Sequence, residues 1–183
     1  MLAVPVGSRD HRVGPAGAPV VLVEYGDYQC PHCRRARPIV RAIIERFGNS
    51  LAFVFRNFPL TELHPDAMRA AETAEWAALS DRFWPMHDFL FEHQRALDAS
   101  SLLAAASHLQ LDRKQLEVAW HDRALRHRVI EDLDGGLASG VSGTPTFFIN
   151  GALYDDSWEL EDLAAALRDA GAVEAHRVHR GPT

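Results

Sequence analysis

The chain has 183 residues, 47% hydrophobic and 24% charged, with a formal charge of −6; that suits one domain with a core large enough to need no covalent help, with or without an inserted subdomain. The negative balance and the lack of any long Lys/Arg block argue against nucleic acid as the main partner. No apolar run approaches the ~20 residues of a membrane helix, so no membrane partner is expected either.

The lead from Met1 to Pro19 is broken by Pro5, Gly7, Gly14, Pro15, Gly17 and Pro19 and has no apolar stretch after a basic start. It does not read as a signal peptide. The expected location is the cytoplasm, with an exported protein whose leader is missing from this sequence as the alternative. Val20 to Tyr25 is a short apolar run of the kind that forms a central strand covered on both faces. Gly26-Asp27-Tyr28-Gln29 follows as a turn, then Cys30-Pro31-His32-Cys33. Ala36, Ile39, Val40, Ile43, Ile44 and Phe47 recur at helical spacing, Gly48-Asn49 supplies the stop, and Pro38 predicts a kink. Leu51 to Phe58 reads as a second strand, so the first third of the chain is a βαβ unit with parallel pairing.

From His64 to about Ser139 nearly every window is helical. Pro65 suits a first helical position. Further segments carry Phe83, Trp84, His87, Phe89, Leu90 and Phe91, then Ser100 to Leu109, then Leu116 to Trp120, and finally Arg123 to Ala138, loosened by Gly135-Gly136. Strand character returns at Thr146 to Ile149, and Asn150-Gly151 predicts a tight hairpin to Ala152-Leu153-Tyr154. A last helix, capped by Ser157 and ended by Gly171, places Leu160, Leu163, Ala164 and Leu167 on one face. The fold class is therefore α/β: a small mixed sheet flanked by helices with an inserted all-helical subdomain. The expected division is a core of 10–62 and 140–172, an insertion of 63–139, and flexible termini at 1–9 and 173–183.

Both cysteines of the chain stand within four residues. As a structural disulfide the pair closes too small a loop to remove much unfolded-state entropy. As a metal site it supplies two thiolates where structural zinc takes four ligands, and no second Cys or His pair at short spacing completes the set. The catalytic reading has a mechanism. Cys30 falls where a strand gives way to a helix, and the free N–H groups and dipole of a helix start favour a thiolate. Pro31 fits the first helical position, His32 adds donor or positive charge beside the sulfur, and Cys33, one turn in, is the more buried thiol. An acidified Cys30 is also a better leaving group, so the disulfide leans towards oxidising its clients.

Glu24 stands in an apolar strand, where a carboxylate needs a partner or a task; it either exchanges a proton with Cys33 through water or reaches solvent at the strand edge. Thr144-Pro145 precedes a strand, where a proline is either cis in a tight turn or trans at a strand start. Arg34, Arg35 and Arg37 either raise the local positive potential and receive acidic clients or form a solvated helix face. Phe83, Trp84, Phe89 and Phe91 read as packing between insertion and sheet, and His87 and His93 as satisfied polar residues rather than ligands.

VEYGDYQCPHC, followed a hundred residues later by VSGTPTFFING, with FWPMHDFLF between them, resembles the DsbA-like thiol–disulfide oxidoreductases of the thioredoxin fold. The resemblance spans roughly residues 10–167. It implies Cys30 as nucleophile, Cys33 as resolving thiol, Pro145 as the family's cis-proline against the disulfide, and Thr144 as the residue whose backbone receives an extended client segment. It places Pro31 beside the client, Glu24 at the acidic position before the active site, and the insertion as the helical domain over the core. The implied partners are protein thiols or disulfides and an unidentified redox recycling partner, with no cofactor and no metal, acting as a monomer. The sequence lacks the second disulfide of the best-known periplasmic members, which leaves their membrane re-oxidation partner out of the expectation. The competing reading is a non-catalytic redox-sensing or metal-binding thioredoxin-like module. A glutathione-dependent transferase of the same fold is a further one, disfavoured because that group does not need two thiols.

Overall fold

The computed structural model describes residues 1–121 and 123–175. Its centre is β2 (Val20–Gly26), seven residues of which Val20, Leu22, Val23, Glu24, Tyr25 and Gly26 are buried. Such a strand must be covered on both faces, and it is. α1 (Pro31–Phe47) carries the chain over one face to β3 (Leu51–Asn57), which pairs parallel with β2 from Val20 opposite Leu51 to Gly26 opposite Asn57. β4 (Thr146–Ile149) lies antiparallel on the other side of β2, with Glu24 opposite Phe147. β5 (Ala152–Tyr154) returns beside β4 through Asn150 and Gly151, both at positive φ, as a two-residue hairpin requires. The sheet order is β1-β3-β2-β4-β5.

β1 (His11–Val13), which pairs antiparallel with β3, falls in the lead where the sequence predicts no strand. Three residues with no apolar alternation carry no local signal; the edge of β3 makes them a strand. The lead is also tied elsewhere. Buried Arg56 donates to the carbonyls of Val4 and Pro5 and to the Asp10 carboxylate, and Leu2 N–H donates to Gly151 O at 2.8 Å.

Between β3 and β4 come α2 (Ala67–Ala78), α3 (Phe83–Glu92), α4 (Ala99–His108), α5 (Arg113–Ala119) and α6 (Arg123–Ala138). α2 starts after Asp66 rather than at Pro65, because residues 60–66 form turns first. α4 and α5 have carboxylate caps: Asp98 accepts from Ser100 and Ser101 N–H, and Asp112 from Lys114 N–H. α7 (Leu160–Asp169) begins after Glu159; Ser157 is not its cap, and its hydroxyl accepts from Glu159 N–H at 3.3 Å. α1 runs unbroken through Pro38, which lies on its exposed side, where water can take the carbonyl that lacks a helical donor.

One face of the sheet, with Leu22, Phe53, Phe55 and Phe147, packs on α1 (Ala36, Val40, Ile43, Phe47), on α7 and on the insertion. The other, with Val23, Tyr25, Val54, Phe58 and Phe148, packs against Leu133 of α6 and Leu2 and Val6 of the lead. The glycine pair expected to loosen α6 does a different job. A Cβ at Gly136 would stand 2.7 Å from the Phe58 ring and 3.0 Å from Tyr25, so the bare backbone lets the helix lie directly on the sheet. At the C-terminus, Val173 N–H donates to Ser50 Oγ at 2.7 Å and Ala175 N–H to Arg46 O at 2.8 Å. The flexibility expected from residue 173 thus meets a pinned segment as far as 175; its remainder lies outside the described residues.

Candidate active site

Cys30 is the N-cap of α1 and Pro31 its first residue. Its backbone is extended, its N–H donates to Asp27 O at 3.1 Å, and its carbonyl accepts Arg34 N–H at 3.2 Å, starting the helix ladder. The sulfur therefore sits over the free N–H groups of the first turn. Both cysteines are thiols in this structure. The Cys30 pKa is lowered to about 5, chiefly by a hydrogen bond from the Cys33 thiol; burial opposes this, and the Thr144 hydroxyl and the N–H groups of Cys33 and His32 add to it. Apart from Cys30, the buried Thr144 hydroxyl has no hydrogen-bond partner. In the thiol form Cys30 instead donates to the Thr144 carbonyl at 3.3 Å. The Thr144–Pro145 peptide is cis.

Cys33 is pushed the other way, well above the ordinary thiol range, first by burial, then by the hydrogen bond it gives to Cys30, then by the charge of Glu24. Against these, Asp27 N–H, 3.4 Å from its sulfur, favours its thiolate. Glu24 is 3% exposed and does not reach the strand edge. Burial, then the Cys30 charge, raises its pKa to about 8. It lines a cavity of about 240 Å³ between α1 and α3, walled by Val40, Phe53, Trp84 and Phe91, with Arg37 and Asp88 also lining it. The cavity gives the carboxyl an opening away from the thiols.

The expected site residues come together, with three differences in how they act. Cys30 is 4% exposed against 0% for Cys33, so the two differ in charge far more than in exposure. The His32 side chain stands exposed, and what His32 gives Cys30 is its backbone N–H. Pro31 is exposed beside the sulfur. Arg37 parts from Arg34 and Arg35: its guanidinium turns to Asp88 at 2.8 Å and Glu92 at 3.4 Å.

Other residues had no sequence signal. Asp27 is buried, with its carboxylate accepting Gln29 N–H at 2.7 Å, Leu60 N–H at 2.8 Å and His64 Nδ1 at 2.8 Å, which locks the turn before the thiols. Gln94, from the turn after α3, donates to Cys30 O at 2.7 Å and Tyr28 O at 2.9 Å. Tyr28 shares a hydrogen bond of 3.2 Å with His87 Nδ1, and burial holds His87 neutral with a pKa of about 3. A buried Asp, Gln or Tyr in a turn or helix is unremarkable in sequence; only the long-range contact gives it a role. Among the described residues no group of three or more His, Cys, Asp or Glu is placed to hold a metal ion, and no helix is long and apolar enough to cross a membrane.

A family model described as Thioredoxin matches residues 8–169. The Na(+)/H(+) antiporter NhaA 1 of Salinispora arenicola is 46% identical over 172 residues, which is 93% of this chain and 26% of the antiporter. The chain spans about a quarter of the length of the curated relatives it matches. Among solved structures, oxidised BdbD from Bacillus subtilis superposes with a TM-score of 0.79 at 23% identity, over 87% of this chain and 91% of that one. Wolbachia pipientis alpha-DsbA1 gives 0.80 at 19% identity, over 92% and 94%. Those identities speak for the fold, and the match over 8–169 goes further: the chain belongs to the thioredoxin family, with the fold of the DsbA-type structures.

Proposed function

We propose that the chain is a thiol–disulfide oxidoreductase that exchanges disulfides with protein clients, Cys30 acting as nucleophile and Cys33 as resolving thiol. The observation that carries this reading is the splitting of the pair. Within one hydrogen-bonded dithiol, Cys30 is held as thiolate and Cys33 as thiol. A staple or a metal clip has no use for that inequality, whereas exchange needs one thiolate to attack and leave and one thiol to wait.

In the oxidising direction a client thiolate attacks Cys30 Sγ of the Cys30–Cys33 disulfide, and Cys33 leaves. Cys33 takes a proton from Glu24, whose burial raises its proton affinity above that of an ordinary carboxylate. The second client thiolate then attacks the client sulfur of the mixed disulfide, and Cys30 leaves as the stabilised thiolate. The client is oxidised by two electrons and the protein disulfide is reduced to the dithiol. In reverse, the Cys30 thiolate attacks a client disulfide. Its charge disappears into the mixed disulfide, and one of the two causes raising the Glu24 pKa goes with it. Glu24 can then shed its proton to the cavity and accept the one from Cys33. Thr144, whose carbonyl faces Cys30, Pro145 and the exposed Pro31 would frame the edge where a client segment pairs.

The acidity of Cys30 favours oxidation of clients, and that direction suits the exported alternative better than a reducing cytoplasm. A recycling partner must then re-oxidise the dithiol; the protein would act as a monomer without cofactor. Cys30→Ser should abolish dithiol oxidation and insulin reduction, and wild-type Cys30 should alkylate with a midpoint near pH 5. Full turnover in Cys30→Ser would sink the reading.

A second reading is favoured by the curated relatives, whose names are those of Na(+)/H(+) antiporters and of which this chain matches about a quarter. There the pair would serve as the redox-sensing module of an antiporter, and it would show a reversible change of transport with thiol state and negligible turnover on protein clients.

A further inference from the structure

Beside the nucleophile lies a groove of about 660 Å³, lined by Gln29, Pro31, Arg34, Arg35, His64, Gln94 and Arg95. Its size is that of a small-molecule site or a few peptide side chains. None of its lining residues is acidic, although the chain as a whole carries −6. Among the described residues Arg34 and Arg95 have no ion pair. Arg35 stacks on Trp158 at 4.6 Å and makes only a long, exposed contact of 3.9 Å with Glu159. The carboxylates nearest the lining residues are already engaged. Asp27 is fully buried on Leu60, Gln29 and His64, and Asp66 is held by Gln29 Nε2 at 3.2 Å while its N–H donates to Gln29 Oε1. α1 brings Arg34 and Arg35, and the turn after α3 brings Arg95. The insertion, docked on the active-site helix, thus adds a third guanidinium to the two that α1 supplies.

Resting on the disulfide-exchange reading, we infer that this groove selects carboxylate-bearing thiols and disulfides as exchange partners of Cys30. A guanidinium presents a planar fork that fits a carboxylate, and two unpaired ones beside a thiolate offset its repulsion of an anionic partner. In the oxidising half-reaction the Cys30 thiolate attacks one sulfur of an anionic disulfide RSSR, giving Cys30–S–S–R and releasing RS⁻. Cys33 then gives its proton to Glu24 and attacks Cys30 Sγ, releasing the second RS⁻. The dithiol becomes a disulfide and RSSR is reduced to two thiols. A free low-molecular-weight disulfide and a cystine in an acidic protein segment share this chemistry.

The test is stopped-flow loss of the Cys30 thiolate absorbance in the reduced chain, with glutathione disulfide (anionic), bis(2-hydroxyethyl) disulfide (neutral) and cystamine (cationic). Two cystine peptides of equal length, flanked by Glu or by Lys, complete the set. Each rate is divided by the rate of the same disulfide with free 2-mercaptoethanol, which removes leaving-group differences. At about 0.02 M ionic strength the normalised anionic-to-neutral ratio should be roughly tenfold, collapsing towards one at about 0.5 M. R34Q/R95Q should lose most of the ratio, while R113Q/K114Q on α5, with the same charge change, should keep it. A preference for glutathione disulfide alone assigns the groove to a small recycling thiol, and an equal preference for the Glu-flanked peptide assigns it to acidic client segments as well. A ratio near one in wild type, or an unchanged ratio in R34Q/R95Q, overturns the inference while leaving exchange at Cys30 intact. A chain inert towards all five disulfides overturns the exchange reading and this one together.

Discussion

At the scale of the residue, the two thiols are unequal in proton affinity and nearly equal in exposure. Depth alone would raise both pKa values. What separates them is direction: Cys30 receives hydrogen bonds from Cys33, Thr144 and the helix N-terminus, whereas Cys33 donates its proton towards Cys30 and lies near the Glu24 charge. Glu24 is the residue that stability alone would remove. Its folded pKa of about 8 lies above the value near 4.5 of an unfolded glutamate, so the folded state holds the proton more tightly. Stability is therefore unaffected below about pH 4.5 and lost progressively as pH rises towards 8. Glu24→Gln should raise the Tm of the reduced protein, by a margin that grows across that window in a pH series of thermal melts. The same variant should slow the Cys33 step by about a hundredfold in single-turnover exchange, the lower end of what a positioned proton donor contributes. A pH-independent Tm difference would refute the buried-acid account.

At the scale of the element, two parts of the insertion dock on the core by devices with no periodic signature. The turn after α3 sends Gln94 Nε2 onto the carbonyls of Tyr28 and Cys30. Gln94→Leu removes that donor and should cost roughly 1–3 kcal/mol. It should also move the alkylation midpoint of Cys30 upward, because the start of α1 loses its anchor. An unchanged midpoint would make Gln94 a purely structural tie. On the opposite face, α6 lies on the sheet through Gly135 and Gly136. Gly136→Ala puts a methyl 2.7 Å from the Phe58 ring and should cost about 1–3 kcal/mol, read by denaturant unfolding. Gly17→Ala, with nothing within 4 Å, should be close to neutral.

At the scale of the molecule, insertion and core are joined by a polar network rather than by apolar packing alone. Glu75 of α2 accepts from Asn57 Nδ2 at 2.7 Å and pairs with His11 at 3.0 Å. Asp132 of α6 accepts Asn57 N–H at 3.0 Å and pairs with Arg128. The redox state also couples to the stability of the whole fold. The reduced form contains the Cys30 thiolate, whose folded pKa of about 5 lies below the unfolded thiol value of about 8.5. That stabilisation is complete above pH ~8.5 and disappears as pH falls through about 5. The reduced protein should gain stability relative to the oxidised protein as pH rises from about 5 to 8.5, measured by denaturant unfolding of both forms. A difference that stayed flat over that range would contradict an acidified Cys30.

The amino-acid sequence by itself determined the βαβ start, the helical block, the β4–β5 hairpin and the placing of Cys30 at a helix start, because these rest on local periodicity, turn chemistry and adjacency. It also singled out Glu24 and Thr144-Pro145 as worth weighing. Only the tertiary structure decided that His11, Arg12 and Val13 of the lead become β1, that Gly135-Gly136 is a packing surface, and that Asp27, His64 and Gln94 hold the active-site turn. The same holds for the parting of Arg37 from Arg34 and Arg35, and for the arrival of Arg95 beside them. Each of these depends on groups far apart in the chain meeting in space. Hydrogen bonds and charge pairs across such separations leave no spacing to read, whereas a helix or hairpin writes its period into neighbouring residues.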